Sequence, residues 1–166
     1  RFTHHPQKKR WDIVAVLSGP EPQRGILEAK IKEELRSYSG KCLIVQGIVE
    51  GKQTRVSDGN LTIVNFMLSQ ELGDAIEQGE LILSRSGYSS VMDLYALGAK
   101  AHFIPTPGQF EQEYLAEHLK TKGATDFSEQ ASFQIDKLIN VKNYTGFSHK
   151  KTSKNNLERS LFDVFK

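Results

Sequence analysis

The 166-residue chain has one cysteine, no long apolar run and almost no net charge. A single cysteine, Cys42, excludes an internal disulfide, and its place in an apolar run indicates a small core residue in a reducing compartment. No apolar run approaches the roughly 20 residues that a membrane-spanning helix needs. A formal charge of +2 lacks the basic field typical of nucleic-acid-binding proteins. The composition therefore predicts one soluble globular domain that binds no nucleic acid.

Several motifs of well-defined chemistry are also missing. The chain has neither a G-x-G-x-x-G dinucleotide fingerprint nor the Gly-Lys-Ser/Thr of a P-loop. No Ser-His-Asp set and no His/Cys/Asp cluster has a recognisable spacing. We interpret His4 and His5 as solvated, because adjacent residues of an extended segment point apart, and His102 as a core or edge histidine within a strand. The sequence therefore predicts no bound metal.

Apolar runs alternate with helical patterns along the whole chain. The short apolar runs predict strands at residues 12–17, 41–49, 61–66, 80–84, 99–105 and 124–127. Apolar residues at helical spacing predict helices that begin at residue 21 and others at residues 70–78, 87–97, 110–122, 129–141 and 153–165. Such alternation implies right-handed crossovers and a parallel sheet covered on both faces. The predicted fold class is α/β, a doubly wound Rossmann-like sheet, with Trp11 at its edge.

The loop at residues 18–25 joins the first predicted strand to the first helix. Doubly wound sheets bind ligands beyond the carboxyl ends of their strands, so this loop lies where chemistry is expected. Ser18 and Gly19 precede a helix start, where free amides and the positive end of the helix favour a phosphate. An ordinary turn between strand and helix is the alternative interpretation.

The loop at residues 84–90 is a second predicted anion site. Gly87 permits a close approach of the backbone to a ligand, and Ser89 and Ser90 follow it at a helix start. Small hydroxyl side chains at such a position leave room for a phosphate group. We therefore expect this loop and the first one to face the same cleft.

Asp93 is a candidate ligand for a ribose. It follows Ser89 by four residues and Ser90 by three, so all three side chains share one face of the predicted helix. A carboxylate one turn inside a helix can accept hydrogen bonds from a ribose diol. The alternative is a solvated aspartate paired with Arg85 or Lys100.

Gln109 and Gln112 follow a rigid turn at residues 105–108 and lie three residues apart at the start of a helix. Their amides both donate and accept hydrogen bonds, which suits sugar hydroxyls. Exposed glutamines at helix starts are common, so this pair alone is weak evidence for a sugar site. It becomes informative because this loop and the loops at residues 18–25 and 84–90 are all expected to face one cleft.

Residues 84–94 and 103–116 resemble, in sequence, order and separation, the C-terminal domain of glycosyltransferase family 28. The likeness extends from about residue 11 to residue 118 and leaves the tail unmatched. It implies the GT-B fold, in which two Rossmann-like domains face a cleft and the C-terminal one binds a UDP-sugar. It also implies an inverting transfer, usually without a bound metal or other cofactor, of a hexosyl or N-acetylhexosaminyl group to an acceptor.

The resemblance assigns roles to particular residues. On the phosphate side it implies Ser18, Gly19, Arg85, Ser86, Gly87 and Ser90. The backbone of Phe66 and Met67 would meet the uracil ring, Asp93 the ribose, and Gln109 and Gln112 the donor sugar.

Three positions depart from the pattern of the family. Residues 20–22, Pro-Glu-Pro, replace small residues of its glycine-rich turn. Asp93 is one methylene shorter than the glutamate that the family often has there. Glu113 stands where the best-known member has a glutamine, which leaves the identity of the sugar open.

The resemblance also implies partners and a location. The general base of the family comes mainly from the N-terminal domain, so no catalytic residue is assigned to this chain.

Because the chain starts at Arg1 without an initiator Met, we interpret it as an excised fragment. Residues 1–10 are then a remnant of the interdomain linker, and residues 11–166 form the donor-binding domain, with a last helix at residues 155–166 that packs against the missing half. That half, on the same chain or on a partner subunit, would bind the acceptor. The expected location is the cytoplasm, at the inner face of the membrane if the missing half associates with it.

Two alternatives belong to other functional classes. A UDP-sugar epimerase or hydrolase of related fold would bind the same donor but would place acid and base groups near the sugar. A non-catalytic donor-binding subunit of a split glycosyltransferase would bind the donor and depend on a separate partner for transfer.

Overall fold

A computed structural model describes residues 7–147 as a seven-stranded sheet with four α-helices and one 3-10 segment. The strands are β1 Trp11–Val16, β2 Cys42–Val45, β3 Arg55–Asp58, β4 Leu61–Val64, β5 Gly79–Ser84, β6 Ala101–Phe103 and β7 Asp126–Phe127. The helices are α1 Gln23–Arg36, α2 Ser69–Glu77, α3 Tyr88–Ala96 and α4 Phe110–Thr121, and the 3-10 segment is Ile135–Asn143. The predicted alternation of strands and helices is confirmed.

The spatial order of the strands is β3-β4-β2-β1-β5-β6-β7, and every pairing is parallel except that of β3 with β4. From β1 the chain moves outward through β2 to β4, and it then returns to place β5 on the other side of β1. The order of the strands therefore reverses at β1 and β5. In doubly wound sheets the ligand crevice lies at this reversal, outside the carboxyl ends of the strands.

Alternating residues of the central strands supply two hydrophobic cores, one on each face of the sheet. Val14, Leu43 and Ile82 face the core beneath α2, α3 and α4. Ile13 and Ile44 face the opposite core, which α1 and the 3-10 segment cover. Successive side chains of a strand point to opposite faces, so short apolar runs without polar interruption are what a sheet buried on both faces requires.

Cys42 and His102 lie inside the sheet, as the sequence indicated. Burial raises the pKa of the Cys42 thiol to about 12, which keeps it protonated. The Nε2 atom of His102 lies 2.9 Å from Ser128 Oγ, whereas its Nδ1 atom has no hydrogen-bond partner among the described residues. Burial lowers the pKa of His102 to about 4, against a smaller opposing effect of Asp126.

We expect the neutral form of His102 to make folding stability depend on pH. The folded pKa of about 4 lies below the ordinary value of 6.5, so the unfolded chain binds the proton more tightly. The contribution of neutral His102 to the free energy of unfolding is therefore complete above pH 6.5. It is lost as the pH falls toward 4, by up to about 3 kcal/mol. Urea unfolding of the wild type, His102→Gln and the control His118→Gln across this range measures it. A wild-type slope that His102→Gln leaves unchanged would contradict the assignment.

The fold differs from the sequence-based assignment at three places. Residues 55–58 were assigned to no strand or helix, but they form the exposed edge strand β3 and pair with β4 in an antiparallel hairpin. Residues 129–141 were predicted to be a helix, but helical structure begins at Ile135 and is of the 3-10 type. Trp11 was placed at the edge of the sheet, whereas it is buried at the start of the central strand β1, with the Arg10 guanidinium carbon 5.0 Å from its ring centroid.

Gln7 and Lys9, before β1, form hydrogen bonds with later parts of the chain. Gln7 Nε2 donates to Asp74 Oδ1 at 2.7 Å, and Lys9 Nζ donates to the carbonyl oxygen of Gly79 at 2.5 Å. Both contacts tie the start of the described chain to α2 and β5. The predicted helix at residues 153–165 lies outside the described residues. Among the described helices, none is long and apolar enough to cross a membrane.

Candidate functional site

A cavity of about 240 Å³ lies where the order of the strands reverses. Its walls come from the carboxyl ends of β1, β2 and β5, from the loop after β4 and from the first turns of α3. Its polar and aromatic lining includes Ser18, Phe66, Ser84, Ser89, Ser90 and Asp93. The loops at residues 18–25 and 84–90 therefore do meet at one place, together with the loop after β4, whereas the predicted third loop, which carries Gln109 and Gln112, does not line this cavity. Cavities of about 450 and 780 Å³ lie elsewhere, one at the amino end of the sheet and one between α4 and the segment that follows β7.

The α3 wall carries Ser89, Ser90 and Asp93 on one face, as their spacing predicted. The N-cap residue of α3, Gly87, provides no side-chain cap, and a Cβ atom added there would meet no other atom within 4 Å. The start of α3 is therefore open on this side. The alternative pairing of Asp93 with Arg85 does not occur, because the Arg85 guanidinium donates to other groups.

The loop after β4 places Phe66 and Met67 against the cavity. The backbone of Phe66 already has partners: its amide donates to Asn65 Oδ1 at 3.0 Å, and its carbonyl oxygen accepts from Gln53 Nε2 at 2.8 Å. The Leu68 carbonyl oxygen accepts from the Leu72 amide at the start of α2. Of the two residues whose backbone was expected to meet the uracil ring, Phe66 has both its amide and its carbonyl oxygen in hydrogen bonds within the protein.

Ser18 and Gly19 lie at the end of β1. Ser18 lines the cavity, and Gly19 has a φ of +99°, a conformation that side chains disfavour and glycine tolerates. Gly47, after β2, has a φ of +73°, and a Cβ atom there would lie 2.5 Å from the Leu17 carbonyl oxygen. The two loops therefore approach each other more closely than any side chain at Gly47 would allow.

Arg85 and Ser86 are buried away from the cavity lining. Arg85 Nη1 donates to the carbonyl oxygens of Ile104 and Pro105, each at 3.0 Å. Its Nη2 donates to the Gln23 carbonyl oxygen at 2.9 Å and to Gln130 Oε1 at 2.6 Å. Burial lowers the pKa of Arg85 to about 10, so it stays protonated near pH 7. These contacts hold the Arg85 side chain away from the cavity and connect it to α1, to the end of β6 and to the segment after β7.

Gln109 and Gln112 bond to each other and to their own loop. Gln112 Nε2 donates to Gln109 Oε1 at 2.5 Å, and Gln112 Oε1 accepts from the Thr106 amide at 2.9 Å. The Ser86 hydroxyl donates to the Gln112 carbonyl oxygen at 2.7 Å, which ties this loop to the end of β5. The two amides thus stiffen the β6–α4 loop and lie outside the lining of the 240 Å³ cavity.

Several groups that shape the site were missed from the sequence. Gln53 and Asn65 hold the β4 loop, and Gln130 reaches Arg85 across 45 residues of sequence. No local pattern marks them, since each is a polar residue in a loop. Within residues 7–147, no group of three or more His, Cys, Asp or Glu residues is arranged to hold a metal ion.

A family model described as the glycosyltransferase family 28 C-terminal domain matches residues 24–161. The chain belongs to this family. The match extends well past residue 118, so the expectation of an unmatched tail is wrong. The UDP-N-acetylglucosamine--N-acetylmuramyl-(pentapeptide) pyrophosphoryl-undecaprenol N-acetylglucosamine transferase of Pasteurella multocida is 34% identical over 147 residues, which are 85% of this chain and 40% of that protein. The chain thus spans about two fifths of this relative.

Two solved structures show the same fold. The crystal structure of Acinetobacter baumannii MurG matches with a TM-score of 0.58 and 18% identity, over 83% of this chain and 44% of that one. The solution structure of ALG13 matches with a TM-score of 0.65 and 14% identity, over 96% of this chain and 98% of that one. The Rossmann-like half of a GT-B glycosyltransferase, predicted from the sequence, is confirmed as the fold.

Proposed function

We propose that this domain binds the UDP-sugar donor of an inverting, metal-independent glycosyltransferase that transfers a hexosyl or N-acetylhexosaminyl group. The observation that carries the proposal is the 240 Å³ cavity at the strand reversal, where Asp93 and two serines of α3 face the β4 loop. Membership of family 28 and a relative named for its use of UDP-N-acetylglucosamine support the choice of donor. The acceptor would be held by another domain or by a partner subunit.

Each part of a UDP-sugar has a counterpart around this cavity. The diphosphate would lie at the open start of α3, where backbone amides and the helix dipole stabilise the charge of the leaving UDP. The Asp93 carboxylate would accept from the ribose diol, and the Met67 backbone would meet the uracil edge. Gln109 and Gln112 would meet the sugar if it extends past the cavity toward the β6–α4 loop.

We expect the chain to bind UDP more tightly than ADP or GDP. A purine needs more room beside Phe66 and Met67 than uracil does, and it presents a different hydrogen-bonding edge to the backbone. Calorimetric titration with the three nucleotides measures the preference. The same titration in EDTA should give an unchanged UDP affinity. Equal affinities for the three nucleotides would rule out uracil recognition, and loss of binding in EDTA would rule out metal independence.

Asp93→Ala is expected to weaken UDP binding by about 1.5–3 kcal/mol, the range for a hydrogen bond to a charged group. The fold should survive, because the side chain lies in a polar cavity wall and alanine favours helices. The control ligand is 2′,3′-dideoxy-UDP, which lacks the diol and should bind both proteins equally. An equal loss of affinity for both ligands would show that Asp93 does not bind the ribose.

A second candidate is a donor-binding subunit that depends on a separate partner. The observation that favours it is the match to ALG13, where this chain covers 98% of a structure that consists of this domain. Co-purification of the natively expressed protein, followed by mass spectrometry, would find a stoichiometric partner in this case. An epimerase or hydrolase would instead convert a UDP-sugar with no acceptor present, which a product assay by chromatography detects.

A further inference from the structure

The turn between β1 and α1 carries a carboxylate at the very start of the helix. Glu21 Oε2 accepts from the Gly25 amide at 3.0 Å, and Glu21 Oε1 accepts from Arg24 Nη2. The Glu21 side chain is 58% exposed and the Arg24 side chain 13%. An amide of the first helical turn together with a guanidinium is the donor set that a phosphate uses. Here a side chain of the protein occupies it.

Two further positions of this turn offer no free amide to another anion. Pro22, the N-cap residue, has no amide hydrogen, and the Arg24 amide donates to the Pro20 carbonyl oxygen at 3.1 Å. With the Gly25 amide bound to Glu21, the start of α1 carries a negative charge. The start of α3, by contrast, has no side-chain cap at Gly87.

The Glu21–Arg24 pair is joined to the 240 Å³ cavity through neighbouring residues that line it. Ser18 lines this cavity three residues before Glu21 in the same turn. Arg24 Nη1 donates to the Gln46 carbonyl oxygen at 3.3 Å, and the next residue, Gly47, lines the cavity as well. Arg24 Nη1 also donates to Glu28 Oε2 at 2.7 Å. Two carboxylates therefore contact this arginine, and Glu21 is the more exposed of the two.

We propose that Glu21 keeps the diphosphate of the donor away from the start of α1 and so directs it to the start of α3. This inference rests on the proposed function, the binding of a UDP-sugar in this cavity. A carboxylate and a diphosphate repel each other, and each would need the same Gly25 amide and Arg24 guanidinium. Glu21 therefore determines where the phosphates bind. Because its charge repels the diphosphate, it also lowers the affinity of the domain for UDP.

The test compares Glu21→Gln with Glu33→Gln, an exposed glutamate of the same helix that gives an identical change of net charge. Calorimetry measures the affinities for UDP and for uridine at low and high ionic strength. Glu21→Gln should bind UDP about 3- to 10-fold more tightly than the wild type, as expected for relief of an anion at a helix start. Its affinity for uridine should not change, and the gain should shrink in high salt. Thermal unfolding verifies that both variants are folded.

A second measurement locates the phosphates directly. In amide NMR spectra of the wild type, UDP should shift the signal of Ser90 but leave that of Gly25 in place. In Glu21→Ala, where nothing replaces the carboxylate, UDP should shift Gly25 as well. A wild-type Gly25 signal that moves with Ser90, or a Glu21→Gln variant with equal or weaker UDP affinity, would overturn the inference while the proposed function stands. A wild type that binds no UDP would overturn both.

Discussion

Arg85→Met is expected to lower the free energy of unfolding by about 3–5 kcal/mol, because a buried hydrogen bond to a charged group contributes roughly 1.5–3 kcal/mol and the losses in one network are not additive. The guanidinium of Arg85 is 1% exposed and donates to three carbonyl oxygens and to Gln130. Methionine fills a similar volume but leaves these acceptors buried without a donor. Arg85 joins α1, the end of β6 and the segment after β7, so its loss should loosen several loops of the site together.

Urea unfolding at neutral pH measures this effect, with two further variants for comparison. Arg36→Met removes an exposed arginine from the last turn of α1 and should change stability by less than about 0.5 kcal/mol. Arg85→Lys keeps the charge but not the planar fork that reaches several acceptors, so it should fall between the wild type and Arg85→Met. If Arg85→Met unfolds like the wild type but loses UDP affinity, the side chain of Arg85 binds phosphate, as the family resemblance implied.

Much of the fold could be predicted because it depends on local patterns. The central strand β2, Cys42–Val45, is an uninterrupted apolar run, since a sheet covered on both faces buries the side chains on both sides of such a strand. β3 was not predicted because Arg55–Asp58 is exposed throughout and has no apolar pattern. Only its pairing with β4 makes this segment a strand. The 3-10 segment was predicted as a longer helix because its apolar residues have helical spacing, which does not distinguish an α-helix from a tighter 3-10 helix.

The site was predictable as far as chain topology determines it. The carboxyl ends of parallel strands meet at one edge of the sheet, so Ser18, Phe66 and Asp93 were expected together, and they line one cavity. The direction of individual side chains was not predictable. The family resemblance implied that Arg85 lies on the phosphate side, whereas its side chain points into the protein and donates to carbonyl oxygens of segments distant in sequence.

The 240 Å³ cavity offers no second titratable group, among the described residues, that would activate an acceptor. Within residues 7–147, Asp93 is the one titratable residue that lines this cavity, and we propose that it binds the ribose. His102 is fully buried in β6, and His118 lies on α4 outside the cavity lining. General-base catalysis requires hydrogen-bond contact with the proton that is removed, so neither histidine can serve. We therefore propose that the base and the acceptor site lie outside the described residues.

We therefore expect the 166-residue chain alone to bind a UDP-sugar but to transfer it at least about 10⁴-fold more slowly than a complete family 28 enzyme, because holding two reactants in near-attack geometry and positioning a base each contribute several powers of ten. The measurement incubates the chain with radiolabelled UDP-sugars and a lipid and glycan acceptor extract, and quantifies labelled product. The Pasteurella multocida relative, assayed in parallel with UDP-N-acetylglucosamine, shows that the extract contains a usable acceptor. Omitting the acceptor separates transfer from hydrolysis or epimerisation. Transfer by the chain alone at a rate comparable to that of the relative would place an acceptor site within these 166 residues and would contradict the assignment of the domain as the donor half of a larger enzyme.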